Sequence, residues 1–314
     1  MNSPSLARCS FLQKIILLVI MNLRLIFVFL WAFVTSVGKV SAACSAEPVR
    51  ILAIGNSFSA DAVETHLAAI FRSQGVEVII GHLSIGGCSL DYHYDNVQNN
   101  RAAYGYSKIF TDGFKTYSEP YTLIEGLKDE PWDYISLQQV SHLSGDYTTY
   151  SHLGDLLTYI RSVVGEHPVF VWHQTWAYST TSSHSGFARY EYDQAVMLRA
   201  IITAATAVMR EYPEFRVLVP AGTAIQNARQ RITAGNELTA DGYHLEAVTG
   251  RYVAALTWFV AITNRLISNE VYAPEGMDDV TRQAAVDAAH LAVMRPERPA
   301  VLVPVFMTIV FDKF

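Results

Sequence analysis

Short apolar runs alternate with longer helical segments along most of the chain, and this alternation limits the folds that the chain can adopt. The strand-like runs are residues 49–54, 76–80, 134–137, 169–172 and 216–219. The segments with helical spacing or helix-forming composition are residues 61–73, 150–164, 190–211 and 246–267. Strands separated by helices form parallel sheets that are covered on both faces. The sequence therefore predicts one doubly wound α/β domain with a mostly parallel, five-stranded sheet.

Two segments do not fit this alternation. Residues 86–131 are rich in Tyr, Asn and Gly and are longer than chain closure requires, so we interpret them as a functional connection. Residues 300–314 are apolar but too short to span a bilayer, and we interpret them as a terminal strand.

Composition excludes several classes of protein. The 314 residues are 51% hydrophobic and 17% charged, which argues against disorder. The formal charge is −6 although the first 43 residues carry cations and no acid, so the remainder is more acidic still. An acidic body argues against nucleic acid as a partner.

The N-terminus has the organisation of an export signal. Residues 15–38 are largely apolar, and Val40-Ser41-Ala42 supplies small residues for cleavage, so residues 1–43 are predicted to be a signal peptide. Met21 is an alternative start, because it is followed by its own basic and apolar regions. Two alternatives remain: a retained membrane anchor, or lipidation at Cys44. Membrane contact is expected only through such an anchor, and the main domain is predicted to cover residues 44–299.

The cysteines and histidines suggest no metal centre. No CxxC or HExxH motif occurs, so no metal or other cofactor is predicted. Cys44 and Cys88 could pair in an oxidising compartment, or Cys88 could be a small buried residue and Cys44 unpaired.

A serine stands at the first strand-to-helix turn, in the sequence Gly55-Asn56-Ser57-Phe58-Ser59. Parallel sheets bind ligands beyond the carboxyl ends of their strands, so Ser57 is a candidate nucleophile. Backbone N–H groups at the helix start could stabilise an oxyanion. The alternative is that Ser57 or Ser59 merely caps the helix.

A second motif, Asp241-Gly242-Tyr243-His244, precedes the last long helical segment. A carboxylate three residues before a histidine can reach its Nδ1 and orient Nε2 as a general base. The alternative is that Asp241 caps the helix and that His244 is a surface residue. The two motifs together are more specific than either alone.

With these two blocks, the chain resembles the SGNH, or GDSL-type, hydrolase superfamily over residues 48–267. Gly55-Asn56-Ser57 stands where that superfamily has Gly-Asp-Ser, and Asp241 to His244 matches its Asp-x-x-His block. The resemblance implies a three-layer, flavodoxin-like α/β/α fold. It also implies an esterase with Ser57 as nucleophile, His244 as base and Asp241 as the orienting acid.

The resemblance further implies an oxyanion hole built from three segments. It comprises the Ser57 N–H, a glycine after the second strand, for which Gly87 or Gly86 fits, and an Asn after the third. This chain has Gln138-Gln139 where the superfamily has Gly-x-Asn-Asp. Gln139 is the expected substitute donor, with Gln138 the alternative.

Aromatic and amide side chains near the predicted pocket suit a carbohydrate, which presents apolar faces and polar edges. The predicted substrate-binding residues are Tyr92, Gln138, Trp172, Gln174 and Trp176. Their alternative role is to cover a large loop.

These observations predict an exported serine esterase that acts on O-acyl groups, most plausibly acetyl groups of a carbohydrate, with a small molecule or an oligosaccharide ester as its substrate. A carbohydrate-binding protein with little turnover is the alternative from another class, and a lipase or thioesterase is the alternative among enzymes.

Overall fold

A mixed sheet of seven strands forms the centre of the fold. The computed structural model describes residues 47–232 and 234–299. The strands are β1 (Val49–Gly55), β2 (Val78–Ser84), β3 (Tyr104–Ile109), β4 (Lys115–Tyr121), β5 (Tyr134–Leu137), β6 (Val169–His173) and β7 (Phe215–Val219), and their order across the sheet is β4-β3-β2-β1-β5-β6-β7. Strands β2, β1, β5, β6 and β7 pair in parallel with their neighbours. Strands β3 and β4 extend the sheet beyond β2 by antiparallel pairing.

Helices cover both faces of this sheet. They are α1 (Ser57–Val63), α2 (Leu67–Ser73), α3 (Leu90–Gln98), α4 (Leu123–Asp129), α5 (Leu153–Val164), α6 (Gln194–Glu211), α7 (Ala221–Arg229), α8 (Thr249–Thr263) and α9 (Asp279–Met294). Short 3₁₀ turns lie at Ser141–Leu143, Tyr147–Thr149 and Ser185–Tyr190. None of the described helices combines the length and apolar character needed to cross a bilayer.

Strand β1 lies between two hydrophobic cores because its side chains alternate between the faces of the sheet. Ile51 and Ala53 pack with α1, α2, α7, α8 and α9, whereas Leu52 and Ile54 pack with α3, α4 and α5. The predicted three-layer α/β/α architecture is thereby confirmed, and the parallel strands follow the flavodoxin-like order.

Several details differ from the sequence predictions. The sheet has seven strands, not five, because residues 86–131 contain α3, the β3–β4 hairpin and α4 and are not a loop. The helix expected over 61–73 is two helices, α1 and α2. Helices α7 and α9 were not predicted.

The predictions for the chain termini concern residues outside the described ones. They are the signal peptide over 1–43, the start at Met21, Cys44 and the strand over 300–314. Cys88 is described, and it is a free, buried thiol.

Two buried histidines should make the fold sensitive to acid. His93 and His173 are almost wholly buried, and burial, with a smaller contribution from His82, lowers the pKa of each from 6.5 to about 3. The unfolded chain therefore takes up protons below pH 6.5 that the folded protein excludes.

We expect the free energy of unfolding to be greatest above pH 6.5 and to fall as the pH is lowered towards 3. The slope should approach about 1 kcal/mol per pH unit for each of these histidines. Urea unfolding of wild type and His93→Leu between pH 7 and pH 4 measures it. The variant lacks the contribution of His93, so its unfolding free energy should change less per pH unit than that of the wild type. Identical slopes would contradict the prediction.

Candidate active site

The turn between β1 and α1 presents Ser57 at the first position of a helix. Asn56 is the N-cap, and its Oδ1 accepts the backbone N–H of Phe58 at 3.0 Å. A Cβ at Gly55 would lie 2.4 Å from Ser59 Oγ, so the turn needs glycine there. Ser57 is therefore not the cap, and its side chain remains available.

Ser57, His244 and Asp241 form a continuous line of hydrogen bonds. Ser57 Oγ lies 2.8 Å from His244 Nε2, and His244 Nδ1 lies 2.7 Å from Asp241 Oδ2. Burial alone would raise the pKa of Asp241, but hydrogen bonds from the His244 side chain and nearby backbone outweigh it and lower that pKa. A carboxylate only accepts, so Nδ1 carries the imidazole proton and Nε2 can accept the proton of Ser57.

Asp241 also shapes the loop that carries His244. Its Oδ1 accepts the backbone N–H groups of Tyr243 and His244 at 3.1 and 2.8 Å. Gly242 has a φ of +92°, and a Cβ there would lie 2.9 Å from the backbone of Ser182. The Asp-Gly-Tyr-His sequence thus forms a tight turn that only a glycine at its second position permits.

Two buried side chains hold this loop against the serine turn. Asp61 on α1 accepts the backbone N–H of Leu245 at 2.8 Å. Trp176 stacks on Phe58 with ring centroids 4.4 Å apart, and its Nε1 donates to the Tyr243 carbonyl at 2.7 Å. Since Phe58 follows Ser57 and Tyr243 precedes His244, Trp176 fixes both partners of the Ser57–His244 hydrogen bond.

Asn56 is held by the ends of three neighbouring strands. Its Oδ1 accepts from Gln138 Nε2 at 2.8 Å, and its Nδ2 donates to the Cys88 carbonyl at 3.0 Å. Gln138 Oε1 accepts in turn from His173 Nδ1 at 2.8 Å. Gln138 follows β5 and His173 ends β6, so this amide network ties the β1 turn to both strands.

A second serine and histidine lie behind the turn. Ser59 Oγ accepts the Asn56 backbone N–H at 3.0 Å and lies 2.9 Å from His82 Nε2, and His82 Nδ1 lies 2.5 Å from Glu64. Lys115 donates to the other oxygen of Glu64 at 2.6 Å. Burial alone would raise the pKa of Glu64, but the bonds from His82 and Lys115 lower it to about 2. The carboxylate is therefore ionised, and it holds His82 in place against Ser59.

A cavity of about 470 Å³ opens over the Ser57 hydroxyl. Its lining residues are mostly serine, histidine and glycine, and Phe58, Val140 and Tyr243 contribute apolar surface beside them. The lining residues are Asn56, Ser57, Phe58, Gly86, Gly87, Val140, Ser141, His142, His184, Ser185, Gly186, Tyr243 and His244.

The predicted oxyanion donors do not all face this cavity. The Ser57 N–H is the first of α1 and has no intrahelical acceptor. Gly87 lines the cavity with a φ of +64°. Gln139 does not line it: its Nε2 donates to the Thr149 carbonyl at 2.9 Å, and its Oε1 accepts from the Leu90 N–H.

The expectation that Gln139 replaces the missing Asn is therefore not met in this structure. The alternative, Gln138, is likewise engaged, because its amide donates to Asn56. In both cases the amide is buried by packing beneath the cavity, where it joins backbone segments.

The predicted substrate-binding residues also lie outside the cavity wall. Tyr92 is on α3. Trp172 is buried against Phe215, and Gln174 accepts the backbone N–H of Thr223 at 3.0 Å. Gln138 and Trp176 are internal supports. The prediction was wrong for the four buried side chains, Gln138, Trp172, Gln174 and Trp176, because the segments after β5 and β6 turn inward and their aromatic and amide groups pack the interior. Tyr92 is exposed on α3, and its substrate role stays a prediction.

Two other histidines contribute to the cavity and were not predicted. The rings of His142 and His184 lie 6.1 Å apart. Burial lowers the pKa of both, and so do nearby cations or imidazoles. His142 follows β5 and could have been found as a polar residue beyond a strand end. His184 lies in an irregular segment that carries no comparable signal.

Metal chemistry has no evident site here. Within residues 47–232 and 234–299, no three His, Cys, Asp or Glu side chains are grouped so that they could hold a metal ion.

Comparison with known proteins identifies the family of this chain and a similar solved structure. Residues 50–292 match the family described as domain of unknown function DUF4886, and the chain belongs to this family. A crystal structure of a DUF4886 family protein from Bacteroides uniformis is similar, with 44% identity and a TM-score of 0.78, covering 82% of this chain and 98% of that one. No curated protein matches the chain.

Two more distant structures have names that concern acyl esters. A protein assigned as a GDSL-like lipase from Parabacteroides merdae has 12% identity and a TM-score of 0.47, covering 69% of this chain and 96% of that one. A protein assigned as an acylhydrolase from Bacteroides fragilis has 11% identity and a TM-score of 0.39, covering 82% and 93%. Likenesses at this level do not establish function, so the chemistry must be argued from the residues of the site.

The Asn56 network predicts that the conservative change Asn56→Asp is harmful. A carboxylate cannot donate to the Cys88 carbonyl, and the charge would be buried. We expect a loss of about 1–3 kcal/mol in the free energy of unfolding, measured by urea denaturation at pH 7. The matched control is Asn269→Asp, at an exposed position, which should change stability by less than about 0.5 kcal/mol. Equal effects of both changes would refute the role of the network.

Proposed function

We propose that this protein is a serine esterase that hydrolyses acyl esters, with Ser57 as nucleophile, His244 as general base and Asp241 as the acid that orients it. The observation that carries the proposal is the line of two hydrogen bonds, 2.8 and 2.7 Å long, that ends at a serine hydroxyl in an open cavity. A Ser-His-Asp line of this geometry is the arrangement that activates a serine for acyl transfer.

In the first half of the reaction, Ser57 Oγ attacks the acyl carbonyl carbon while its proton passes to His244 Nε2. The carbonyl oxygen becomes an oxyanion, and the N–H groups of Ser57 and Gly87, two residues that line the cavity, are the proposed donors that stabilise it. Collapse of the tetrahedral intermediate breaks the bond to the alcohol oxygen. His244 gives its proton to that oxygen, and the alcohol departs.

In the second half, water replaces the alcohol. His244 Nε2 removes a proton from the water as its oxygen attacks the acyl-enzyme carbonyl. The second tetrahedral intermediate expels Ser57 Oγ, which takes the proton back from His244. The acid is released, and Asp241 remains ionised throughout.

Access distinguishes Ser57 from Ser59, although each is hydrogen-bonded to a histidine. Ser59 is 1% exposed and does not line the cavity, whereas Ser57 does. Ser59 also accepts the Asn56 N–H, a structural contact that a nucleophile would have to break. The proposal therefore assigns catalysis to Ser57 and support of the turn to Ser59.

The cavity favours a short acyl group on a polar alcohol. A long acyl chain needs an extended apolar channel, whereas the larger apolar side chains of this wall are those of Phe58, Val140 and Tyr243, set among serines, histidines and glycines. These donors and acceptors suit the hydroxyl groups of a sugar. We therefore propose an O-acetylated carbohydrate as the substrate class, in preference to a lipid or a thioester.

Export is part of the proposal and is supported by the sequence of residues 1–43. N-terminal sequencing of the protein recovered from outside the cytoplasm should begin near Cys44. Recovery of a chain that still carries residues 21–43 would instead support a retained anchor.

The test of the chemistry is hydrolysis of p-nitrophenyl acetate and of acetylated oligosaccharides. We expect Ser57→Ala to lower kcat by about 10⁴-fold or more and Asp241→Asn by about 10⁴-fold, since each breaks the line of hydrogen bonds. The matched control is Ser162→Ala, which removes an exposed serine of α5 that does not line the cavity and should retain activity within a few-fold.

Undiminished hydrolysis by Ser57→Ala would overturn the assignment of the nucleophile. If the wild type hydrolyses none of these esters but binds the oligosaccharides, carbohydrate binding without turnover replaces the esterase proposal. Faster hydrolysis of long-chain esters than of acetyl esters would favour a lipase.

A further inference from the structure

A second cavity lies beside the first and shares its wall at Gly86. Its volume is about 550 Å³. The β3–β4 hairpin forms its far side, and its polar side chains include Ser84, Ser107, Lys115 and Glu119. The two cavities are therefore neighbours along the carboxyl-terminal edge of β2.

Tyr117 on β4 is an exposed aromatic residue in the wall of this second cavity. Its side chain is 60% exposed, and its hydroxyl donates to Glu119 at 2.5 Å. A Cβ at Gly105 would lie within 3.0 Å of three atoms at the phenol end of Tyr117, so the ring lies over the space that a side chain of β3 would fill. Aromatic residues commonly cover a glycine on the neighbouring strand in this way.

The ring is thus held before any ligand arrives. The phenol end of the ring covers Gly105, and its hydroxyl donates to Glu119. A fixed ring loses little conformational entropy on binding, which favours stacking of a flat, partly apolar ligand.

The groups around the ring match the polar edge of a sugar. Lys115 supplies ammonium donors, Glu119 supplies carboxylate acceptors, and Ser84 and Ser107 carry hydroxyls that do both. Lys115 already pairs with Glu64 at 2.6 Å, so its position is defined. A pyranose has C–H groups on its faces and hydroxyls around its edge, and the cavity offers a complement to each.

We propose that this second cavity is a carbohydrate subsite, in which a sugar ring adjacent to the ester-bearing sugar stacks on Tyr117. The inference rests on the proposed esterase function and narrows its substrate to acetylated oligosaccharides of at least two rings. The acetylated ring occupies the cavity over Ser57, and the chain continues past Gly86 towards the hairpin.

The kinetic test compares Tyr117→Ala with Phe114→Ala. Phe114 is 63% exposed in the same hairpin but does not line the cavity, which makes it the matched control. Tyr117→Ala should lower kcat/KM about tenfold on acetylated di- to tetrasaccharides, as expected for the loss of one stacking contact. It should change p-nitrophenyl acetate and acetylated monosaccharides less than twofold. Tyr117→Phe, which keeps the ring, should recover most of the loss.

A binding test keeps this inference separate from the esterase proposal. Calorimetric titration with unacetylated xylotetraose, cellotetraose and chitotetraose measures the subsite without turnover. We expect binding of at least one of them by the wild type and Phe114→Ala, and about tenfold weaker binding by Tyr117→Ala.

Two results would overturn the subsite. One is equal behaviour of the Tyr117 and Phe114 variants on every oligosaccharide, and the other is the absence of binding to all three by the wild type. Neither result affects the esterase proposal, which stands or falls on Ser57→Ala with p-nitrophenyl acetate.

Discussion

The hydrogen bonds of Asn56 are the constraint on which the site depends. Its Oδ1 accepts from the Phe58 N–H and from the Gln138 amide. Its Nδ2 donates to the Cys88 carbonyl, and its backbone N–H donates to Ser59 Oγ. All four hydrogen bonds are buried. Loss of any one of them would leave a polar group without a partner and away from water, which lowers the stability of the fold. One residue therefore starts α1, ties β1 to β5 and aims the Ser57 hydroxyl at His244.

The two departures from the superfamily pattern are physically linked. An amide at Asn56 donates and accepts at once, and the amide of Gln138 meets it with the complementary donor. An aspartate at position 56 could not donate to the Cys88 carbonyl. An asparagine at position 138 would have a side chain one methylene shorter than that of Gln138. Residues that the pattern would assign to oxyanion binding are here part of the scaffold. In the proposed mechanism, stabilisation of the oxyanion would then depend on the backbone N–H groups of Ser57 and Gly87.

Apolar periodicity was sufficient to predict the parallel core, because buried strands of such a sheet are continuous hydrophobic runs. It failed for the hairpin, since β4 (Lys115–Tyr121) is exposed at nearly every position and contains a proline.

The serine turn and the Asp-x-x-His turn could be predicted because their chemistry depends on local spacing. Trp172, Gln174 and Trp176 could not be placed, since residue type does not reveal whether an aromatic residue after a strand turns outwards to ligand or inwards to the core. The two unpredicted cavity histidines reach the site through long-range packing that no local pattern records.

Two serines, each hydrogen-bonded to a histidine that contacts a carboxylate, lie two residues apart. Exposure to the cavity and the hydrogen bonds of Ser59 with the Asn56 backbone separate their roles. The hydrogen bonds from Asp241 through His244 end at Ser57, in the open cavity. Those of Ser59 lead instead through His82 and Glu64 to Lys115. Lys115 lies in the wall of the second cavity, so a ligand there meets a group that is connected by hydrogen bonds to the turn that carries Ser57. Hydrogen bonds from His82 and Lys115 lower the pKa of Glu64 to about 2, so its carboxylate stays ionised down to acidic pH. The β3–β4 hairpin thus forms one side of a second cavity that adjoins the cavity over Ser57 at Gly86. Under the two proposals, this second cavity would set the specificity of the site, away from the three residues proposed to perform the reaction.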